Sequence, residues 1–367
     1  MKFICSKNSI LNEISNAIEF AAVKNILSIL SNVYLEAFQD KLYIRSTDSN
    51  LSFSAEIVVN VIEEGKTTLR CDTLLNILKN IPDDEVVFEE KENIMYISAA
   101  EHKINFNIKS TKVDDFPNSE KYSDSEFFKI PKKTLLKLIN QTIFTVSLDE
   151  KKPFMNGTLL TKEDDFIIMV GTDGKRLSFA KEKIENDIPD FSNAIIPLKF
   201  LNIIKKFSIS EGTFDVLINN TSMVMKFNNY VISSVLINAN YPNYKRVIPE
   251  NNDKFIKIKI NDMNEALKRV SLFSENKYKK ILFNIDSKKI TIYTEDSEIG
   301  QAKEEIEAEY EGEPFTCAIN YSYLVNPLKA MEGEFFCIWF NDPTRAFIVK
   351  PEPEREYLHV IMPMQIN

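Results

Sequence analysis

Three segments of the chain carry apolar residues at the spacing of one face of an α-helix. Each is followed by shorter stretches in which apolar and polar residues alternate, the pattern of a strand with one buried face. The pattern therefore predicts helices set among strands. The apolar helical positions are Ile10, Leu11, Ile14 and Ile18, then Leu135, Leu136, Ile139 and Ile143, then Met263, Ala266, Leu267 and Val270.

Two strand predictions show the alternation clearly. Ile256, Ile258 and Ile260 alternate with lysines, and the glutamates from Glu305 to Glu311 alternate with smaller or apolar residues. In both stretches every second side chain is suited to burial and the others are suited to water. We therefore expect half-buried strands of antiparallel sheet.

The chain also repeats itself at a fixed spacing. Thr47-Asp48 and Thr172-Asp173 lie 125 residues apart (172 − 47), and Pro117 and Pro242 share that spacing (242 − 117). A third landmark occurs three times, which indicates three copies of one supersecondary unit. Its members are Leu74, Leu75, Asn76, Leu78 and Lys79; Phe200, Leu201, Asn202, Ile204 and Lys205; and Leu324, Val325, Asn326, Leu328 and Lys329.

Each copy reads as strand, helix, several strands, helix and more strands. This order predicts an α+β fold in which helices pack on one face of antiparallel sheet. Polar stretches at 122–126 and 249–254 suggest domains at 1–122, 127–249 and 254–367. Pro327 lies within the last predicted helix, so we expect that helix to be kinked or to start late.

Length and composition agree with several soluble domains. The 367 residues are 44% hydrophobic and 27% charged, which is typical of globular proteins. The N-terminal stretch lacks the apolar region of a signal peptide, and no segment has the ~18 apolar residues of a membrane span, so we expect a cytoplasmic protein without membrane contact. The four cysteines, Cys5, Cys71, Cys317 and Cys337, are expected as reduced core residues.

The net charge of −9 argues against nucleic-acid binding by the whole surface, so any such contact requires a segregated basic face. Basic residues do collect on the predicted helices. As phosphate contacts they would be weak, salt-sensitive and independent of sequence; as solvated surface charges they would need no partner. The candidates are Lys24, Lys79, Lys132, Lys133, Lys137, Lys199, Lys205, Lys206, Lys268, Arg269 and Lys329.

Catalytic motifs are not evident. His102 and His359 are the two histidines, and eight glycines form no phosphate-binding loop. The acidic pairs beginning at Asp83, Asp114 and Asp164 are expected to be solvated turn charges, although a magnesium-dependent nuclease remains a third hypothesis. We therefore predict no enzyme, metal or cofactor.

Four motifs occur in order along the chain: Phe154 to Gly157, Gly171 to Leu177, Tyr241 to Pro249, and Val360 to Met364. Together with the threefold repeat, they resemble the bacterial replicative sliding clamps, the beta subunit of DNA polymerase III. The resemblance implies three clamp domains per chain, with helices on the inner face and sheets on the outer face of a head-to-tail ring dimer. It implies a protein that encircles double-stranded DNA and confers processivity. A peptide-binding repeat scaffold that does not encircle DNA is the alternative.

The resemblance also implies a pocket where the replicative polymerase, the clamp loader and repair proteins insert short apolar peptides. Lys175, Ala346 and Gln365 depart from residues found in many relatives, which bears on peptide preference. By motif, the pocket residues are Met155, Thr172, Gly174, Lys175, Arg176, Leu177, Pro242, Arg246, Val247, Asn320, Tyr323, Val360, Met362, Pro363 and Met364.

For the homodimer, the resemblance implies pairing of an edge strand of the first domain with one of the third. Phe106 and Ile108 would lie on one side, and Leu272 and Phe273 on the other. Lys103 and Glu304 would form a charge pair across the seam. Burial of Phe106 and Ile108 within their own domain remains the alternative.

Overall fold

The computed structural model describes residues 1–22, 29–99, 102–118, 122–184, 188–191, 193–207, 211–250, 252–274, 278–298 and 300–366. Within these ranges each α-helix begins directly after a strand or one residue later. The helices are α1 (Lys7–Ala17), α2 (Cys71–Asn80), α3 (Lys132–Thr142), α4 (Leu198–Phe207), α5 (Ile260–Val270) and α6 (Ser322–Ala330).

The strands follow the sequence repeat. The first copy contains β1 (Lys2–Ser6), β2 (Asn32–Phe38), β3 (Lys41–Thr47), β4 (Leu51–Val58), β5 (Asn60–Glu63), β6 (Gly65–Arg70), β7 (Glu85–Lys91), β8 (Ile94–Ala99) and β9 (Ile104–Lys109). The second contains β10 (Phe128–Pro131), β11 (Gly157–Glu163), β12 (Phe166–Thr172), β13 (Arg176–Lys183), β14 (Ala194–Pro197), β15 (Thr213–Ile218), β16 (Ser222–Phe227) and β17 (Tyr230–Val235). The third contains β18 (Lys254–Lys259), β19 (Lys280–Ile285), β20 (Lys289–Tyr293), β21 (Lys303–Glu307), β22 (Glu309–Tyr310), β23 (Phe315–Asn320), β24 (Phe335–Phe340), β25 (Phe347–Glu352) and β26 (Tyr357–Ile361).

Every copy has the predicted order of strand, helix, strands, helix and strands, so the α+β prediction is confirmed. By internal contacts the chain forms two compact units, and the second copy is divided between them. Unit 1 comprises Met1–Pro131 and Gly212–Leu236. Unit 2 comprises Lys132–Glu211 and Ile237–Asn367.

Unit 1 contains a five-stranded sheet, in the order β5-β1-β7-β8-β9, and an eight-stranded sheet, β10-β15-β16-β17-β4-β3-β2-β6. The pairing of β17 with β4 joins strands from the second and first sequence copies. Helix α1 packs against β3 and β4 and against α2. Its buried face includes Ile10, Ile14 and Ala17, which supplies the apolar contact that the 3.6-residue spacing predicts.

Unit 2 repeats this plan. A nine-stranded sheet runs β14-β11-β12-β13-β26-β25-β24-β18-β22, and a four-stranded sheet runs β21-β20-β19-β23. The pairing of β13 with β26 joins the second copy to the third, as β17 and β4 join the second to the first. Helices α3 and α4 contact each other, as do α5 and α6, and α3 also contacts α6.

Burial, rather than capping, supports these helices. Ser6, Arg70 and Lys259 precede α1, α2 and α5, and none of the three makes a side-chain cap. All four apolar positions predicted on α5 are buried, and this amphipathic packing is the usual source of helix stability in a protein. In α3 the buried face is shifted by comparison with the prediction, because Leu138 is fully buried and Leu136 only partly.

Several further predictions can be compared with the structure. The four cysteines are buried free thiols, as expected. Helix α6 starts at Ser322 and runs through Pro327, so the expectation of a late start is wrong. Asp83 is 3% exposed and accepts a hydrogen bond from the backbone of His102, so it is not a solvated turn charge. His102 itself lies in a turn. No helix in the described ranges is long and apolar enough to cross a membrane.

Candidate functional site

The Thr-Asp repeat forms a tight turn between β12 and β13. The hydroxyl of Thr172 donates to the carbonyl oxygen of Arg176 at 2.7 Å and accepts from the amide of Gly174 at 3.1 Å. The carboxylate of Asp173 accepts from the amides of Lys175 and Arg176 at 2.9 and 3.1 Å. These bonds use the local side-chain acceptors that favour Thr and Asp in turns.

The first copy builds the same turn between β3 and β4. Thr47 donates to the carbonyl of Leu51 at 2.7 Å and accepts from the amide of Ser49 at 3.1 Å. Asp48 accepts from the amides of Asn50 and Leu51 at 3.0 and 2.8 Å. The 125-residue sequence spacing therefore corresponds to one hydrogen-bonded motif used twice.

Arg176 extends from this turn and is held from several sides. Its Nε donates to Asp173 at 3.0 Å, and its guanidinium donates to the carbonyl of Phe144 at 2.5 Å. The guanidinium carbon also lies 4.7 Å from the ring centre of Tyr323. Its Nη1 is buried and has no acceptor among the described residues, an unusual arrangement for a charged donor.

The C-terminal strand brings the last predicted motif beside the turn. In the pairing of β13 with β26, Leu177 lies opposite Val360. The amide of Met362 donates to the carbonyl of Lys175 at 3.1 Å, and the amide of Met364 donates to that of Ala318 at 2.7 Å. The turn, the C-terminal methionines and Tyr323 are therefore fixed in one region of unit 2.

A cavity of about 700 Å³ opens in this region. Its size lies within the range of ordinary ligand pockets. Six of the predicted pocket residues line it together with nine that were not predicted for the pocket. The predicted six are Lys175, Asn320, Tyr323, Met362, Pro363 and Met364; the others are Phe273, Ser274, Tyr278, Lys280, Thr294, Glu295, Asp296, Ser297 and Gln365.

Other predicted pocket residues lie in the adjacent structure and do not line this cavity. Leu177 and Val360 belong to a buried hydrophobic cluster. Met155 is 9% exposed, and its methyl group lies 3.6 Å from the position that a Cβ on Gly174 would take. Gly174 has a φ of 86°, which favours glycine.

The stretch from Pro242 to Val247 was also predicted for the pocket but does not line the cavity. Pro242 and Arg246 are exposed, and Val247 is 56% exposed. None of these three belongs to the cavity wall as the described residues define it. Arg246 and Val247 lie on a short 3₁₀ segment, Tyr244–Val247, and Pro242 precedes it.

The unpredicted wall comes mainly from the third copy between β19 and β21. Here Tyr293 ends β20 and Lys303 begins β21, whereas only residues 173–175 separate β12 from β13. The longer connection departs from the repeat, so motif spacing could not place it. Among these unpredicted wall residues, Tyr278 is a large aromatic side chain that is 53% exposed, and an exposed aromatic residue can mark a binding surface.

A second feature of unit 2 is a groove of about 560 Å³ beside α3 and α6, here termed the basic groove. Glu332 is the one acidic residue among its described lining residues. Four of the predicted lysines, from three helices, meet in its wall: Lys133, Lys137, Lys205 and Lys329. Lys137 also contacts Glu182 at 2.5 Å.

The remaining basic candidates are placed differently. Lys132 is 2% exposed, so the prediction that it faces DNA is wrong: a buried side chain does not reach a phosphate. Lys24 lies outside the described residues. Lys79, Lys199, Lys206, Lys268 and Arg269 are exposed, and Arg269 donates to Glu304 through two bonds of 2.6 and 3.0 Å.

Some of the predicted dimer residues are exposed, and others are buried or already paired within the chain. β9 and β21 are edge strands of their sheets, and Leu272 is 74% exposed. Phe106 is partly buried, and Ile108 is 7% exposed, so Ile108 packs within its own unit and does not offer an exposed contact. Lys103 is exposed, and Phe273 lies in the cavity wall. The Arg269 side chain lowers the pKa of Glu304, which is therefore already paired.

Electrostatics around the turn keep several groups uncharged. Burial raises the pKa of the Tyr323 phenol, and Asp173 raises it further. Burial lowers the pKa of His359 to about 3, and Arg176 lowers it further. His359 contacts the Ser178 hydroxyl at 2.6 Å inside the sheet. The described residues contain no cluster of histidine, cysteine and carboxylate side chains suited to a metal ion.

Comparison with known proteins accounts for the whole chain. The N-terminal domain of the DNA polymerase III beta subunit matches residues 1–120, its central domain 129–243, and its C-terminal domain 245–365. The beta sliding clamp of Treponema pallidum is 37% identical, with 100% of each chain covered. The beta sliding clamp structure of C. crescentus is 26% identical with a TM-score of 0.94, covering 100% of this chain and 99% of that chain.

The DNA polymerase sliding clamp of Bacillus subtilis has the same fold, with a TM-score of 0.94 and 23% identity over 100% of both chains. These matches define a three-domain clamp fold, as the sequence resemblance implied. The chain belongs to the DNA polymerase III beta subunit family, the bacterial sliding clamps. Members of this family are processivity factors and not enzymes, which confirms the prediction of a protein without catalytic activity.

Proposed function

We propose that this chain closes as a homodimer around double-stranded DNA in the cytoplasm and tethers replication and repair proteins to it. The observation that carries the proposal is the basic groove, where four lysines from three helices meet in a chain of net charge −9. Membership of the sliding clamp family supports the same function. We retain 1–122, 127–249 and 254–367 as the domain boundaries.

The basic groove suits a sliding contact. Lysine ammonium groups bind phosphates without reading bases, and each contact is weakened by salt. A closed ring needs no tight contact, because the DNA cannot leave sideways. We assign phosphate contacts to the groove lysines and to the exposed Lys79, Lys199, Lys206, Lys268 and Arg269.

The cavity beside the Thr172 turn suits a short apolar peptide. Met362 is 47% exposed and lies beside Pro363 and Met364, so apolar surface is available to a ligand. Methionine side chains adapt to ligands of different shape, which suits a surface shared by a polymerase, a clamp loader and repair proteins. Arg176 and Tyr323 stiffen the wall.

For the dimer, we propose that β9 of one copy pairs with β21 of another. Both strands end their sheets, and an unpaired edge strand is prone to association. Leu272 and Phe106 supply apolar contact, and Lys103 supplies charge. Because Glu304 is already bonded to Arg269, we expect the Lys103 contact to contribute little.

The topological test uses nicked circular DNA and a clamp loader. The loaded protein should stay on the circle during gel filtration and should leave after the circle is cut once. Blocking both ends of the cut DNA with bound protein should restore retention. Equal retention on linear DNA with free ends would contradict encirclement.

The peptide test uses a fluorescent apolar pentapeptide and measures anisotropy. Met362→Asp should weaken binding at least about tenfold, because it places a charge in an apolar contact. Val58→Asp is the matched control, since Val58 is 75% exposed in unit 1, far along the chain from the cavity residues. Equal loss in both variants would argue against the assigned pocket.

A further inference from the structure

Unit 1 contains a cleft of about 640 Å³ at the ends of β3 and β4, and we term it the serine cleft. Its lining is rich in serine, threonine and asparagine. Arg45 is the one charged side chain among the described lining residues, and no carboxylate is included. This composition is unusual in a chain with 54 acidic residues.

The serine cleft is the repeat equivalent of the cavity in unit 2. The turn from Thr47 has the hydrogen bonds of the turn from Thr172. The amide of Val235 donates to the carbonyl of Asn50 at 2.8 Å, as that of Met362 donates to Lys175 at 3.1 Å. In each unit, therefore, a strand of the next copy lies beside the turn: β17 of the second copy in unit 1 and β26 of the third copy in unit 2.

The chemistry of the two sites differs at matched positions. In unit 2, Leu177 lies opposite Val360; in unit 1, Ser52 lies opposite Ser233. A buried apolar pair in unit 2 therefore corresponds to a pair of hydroxyls that line the cleft in unit 1. Ser52 is exposed and Ser233 partly exposed, so both hydroxyls are available to a ligand in the cleft. An apolar peptide would leave such groups without hydrogen bonds, which costs binding free energy.

Arg45 gives the cleft a positively charged end. Its guanidinium carbon lies 3.8 Å from the ring centre of Tyr34 and 5.7 Å from that of Phe116. Stacking between rings limits the rotamers of the side chain and leaves the planar edge of a guanidinium suited to a carboxylate. Phe116 is the counterpart of Tyr241 in the sequence repeat. The guanidinium of Arg45 therefore lies beside the unit 1 copy of the motif that contains Tyr241 in the second copy.

We propose that the serine cleft binds an extended acidic peptide segment of a partner protein. Arg45 pairs with a carboxylate of the peptide, and the serine and asparagine side chains hydrogen-bond its backbone. Duplex DNA fits this site poorly, because it presents one charge about every 1.7 Å along its axis and the cleft offers a single cation. The inference takes the unit 2 pocket as its template and in that respect rests on the proposed function.

The test uses methyl NMR of the full-length protein. Val231 and Val235 line the serine cleft, and the methyl groups of Met362 and Met364 report on the unit 2 cavity, which they line. The ligand is a capped heptapeptide with three aspartates, and its comparison peptide has three lysines in their place. Addition of the acidic peptide should shift the Val231 and Val235 methyl signals, and the shifts should reach a plateau as the peptide concentration rises. The lysine peptide should not shift them.

Two variants sharpen the result. Arg45→Gln should weaken binding of the acidic peptide about tenfold or more, the order expected on truncating one partner of a charged pair. Arg345→Gln removes the same charge from an exposed arginine of unit 2 and should change nothing. Ser52→Leu with Ser233→Val should abolish acidic-peptide binding and make the cleft receptive to the apolar pentapeptide.

The outcomes separate this proposal from the proposed function. Simultaneous binding of both peptides supports it; displacement of the acidic peptide by the apolar one would place both at unit 2 and overturn it. Absence of shifts at millimolar peptide, equal binding of the lysine peptide, or shifts produced only by a DNA duplex would also overturn it. Failure of the apolar pentapeptide to bind wild-type protein would count against the unit 2 pocket alone.

Discussion

The contact between Asp173 and Arg176 provides the most direct test of how the turn supports peptide binding. The change Asp173→Asn keeps a side-chain oxygen that can accept from the backbone amides of the turn. It removes the negative charge opposite Arg176, whose side chain is only 11% exposed. The variant therefore tests the charge while leaving the shape of the turn almost unchanged.

The expected loss follows from the contacts. The Asp173 carboxylate makes two bonds to amides and one to the guanidinium, at 2.9, 3.1 and 3.0 Å. A hydrogen bond to a charged group contributes about 1.5–3 kcal/mol, and the variant weakens such bonds without deleting them. We expect the free energy of unfolding to fall by about 2 kcal/mol. Peptide affinity should fall about tenfold as Arg176 loses its position over Tyr323.

The repeat supplies the control. Asp48→Asn makes the same chemical change in the matching turn of unit 1, where Leu51 stands in the place of Arg176. This variant should lose less stability, about 1 kcal/mol, because no arginine depends on the charge. It should leave apolar peptide binding unchanged.

Calorimetry gives the stabilities, and anisotropy with the fluorescent pentapeptide gives the affinities. The difference between the two variants isolates the contribution of Arg176. Equal peptide affinity in Asp173→Asn and wild type would refute the reasoning, since Arg176 would then be held well enough by its other contacts. Equal losses of affinity in both variants would show a general effect on the fold.

Three further outcomes are expected. Because burial lowers the pKa of His359 to about 3 from an ordinary 6.5, the unfolded chain binds a proton that the folded chain does not. The free energy of unfolding should decrease as pH falls from about 6.5 toward 3, and calorimetry should find a smaller slope for His359→Gln. Replacing the four groove lysines by glutamine should reduce the salt dependence of DNA binding by up to about 0.9 in logarithmic slope per lost phosphate contact, as fluorescence titration can measure, without abolishing retention on circular DNA. Leu272→Asp should weaken the dimer about tenfold or more in sedimentation while circular dichroism stays unchanged, whereas Ile108→Asp should disturb the fold because Ile108 is buried.

The sequence predicted the repeating parts of the fold well because repetition tests each pattern more than once. The buried residues of α5 match the apolar spacing at all four positions. The equivalent turns at Thr47 and Thr172 make the same side-chain hydrogen bonds. The Thr-Asp pairs that recur 125 residues apart in the sequence therefore recur because both turns require those bonds. The division into two compact units was not apparent from the sequence. It arises because strands of the second copy pair with a strand of the first copy and with a strand of the third.

The sequence was less informative where a segment departs from the repeat, or where a residue expected at the surface is buried. Lys132 has the polarity of a surface residue but is 2% exposed, because the first turn of α3 places it against the unit. Ile108 alternates with polar residues on an edge strand, and such a pattern fits burial and intermolecular pairing equally well. The cavity wall from Thr294 to Ser297 lies on a connection that is longer than its counterparts in the other two copies, so the repeat did not indicate its position.

The two sites at which strands of different copies pair show how one scaffold can provide two binding specificities. In both, a Thr-Asp turn fixes one edge and a strand from another copy fixes the opposite edge. Backbone geometry is therefore shared, and specificity depends on the few side chains that point into each site. Where unit 2 buries Leu177 opposite Val360, unit 1 has Ser52 opposite Ser233 in the cleft wall, so hydroxyl groups reach the site with the same strand pairing. A repeat architecture can in this way acquire a second partner class through side-chain substitution alone, since the turn and the strand pairing already provide a rigid frame.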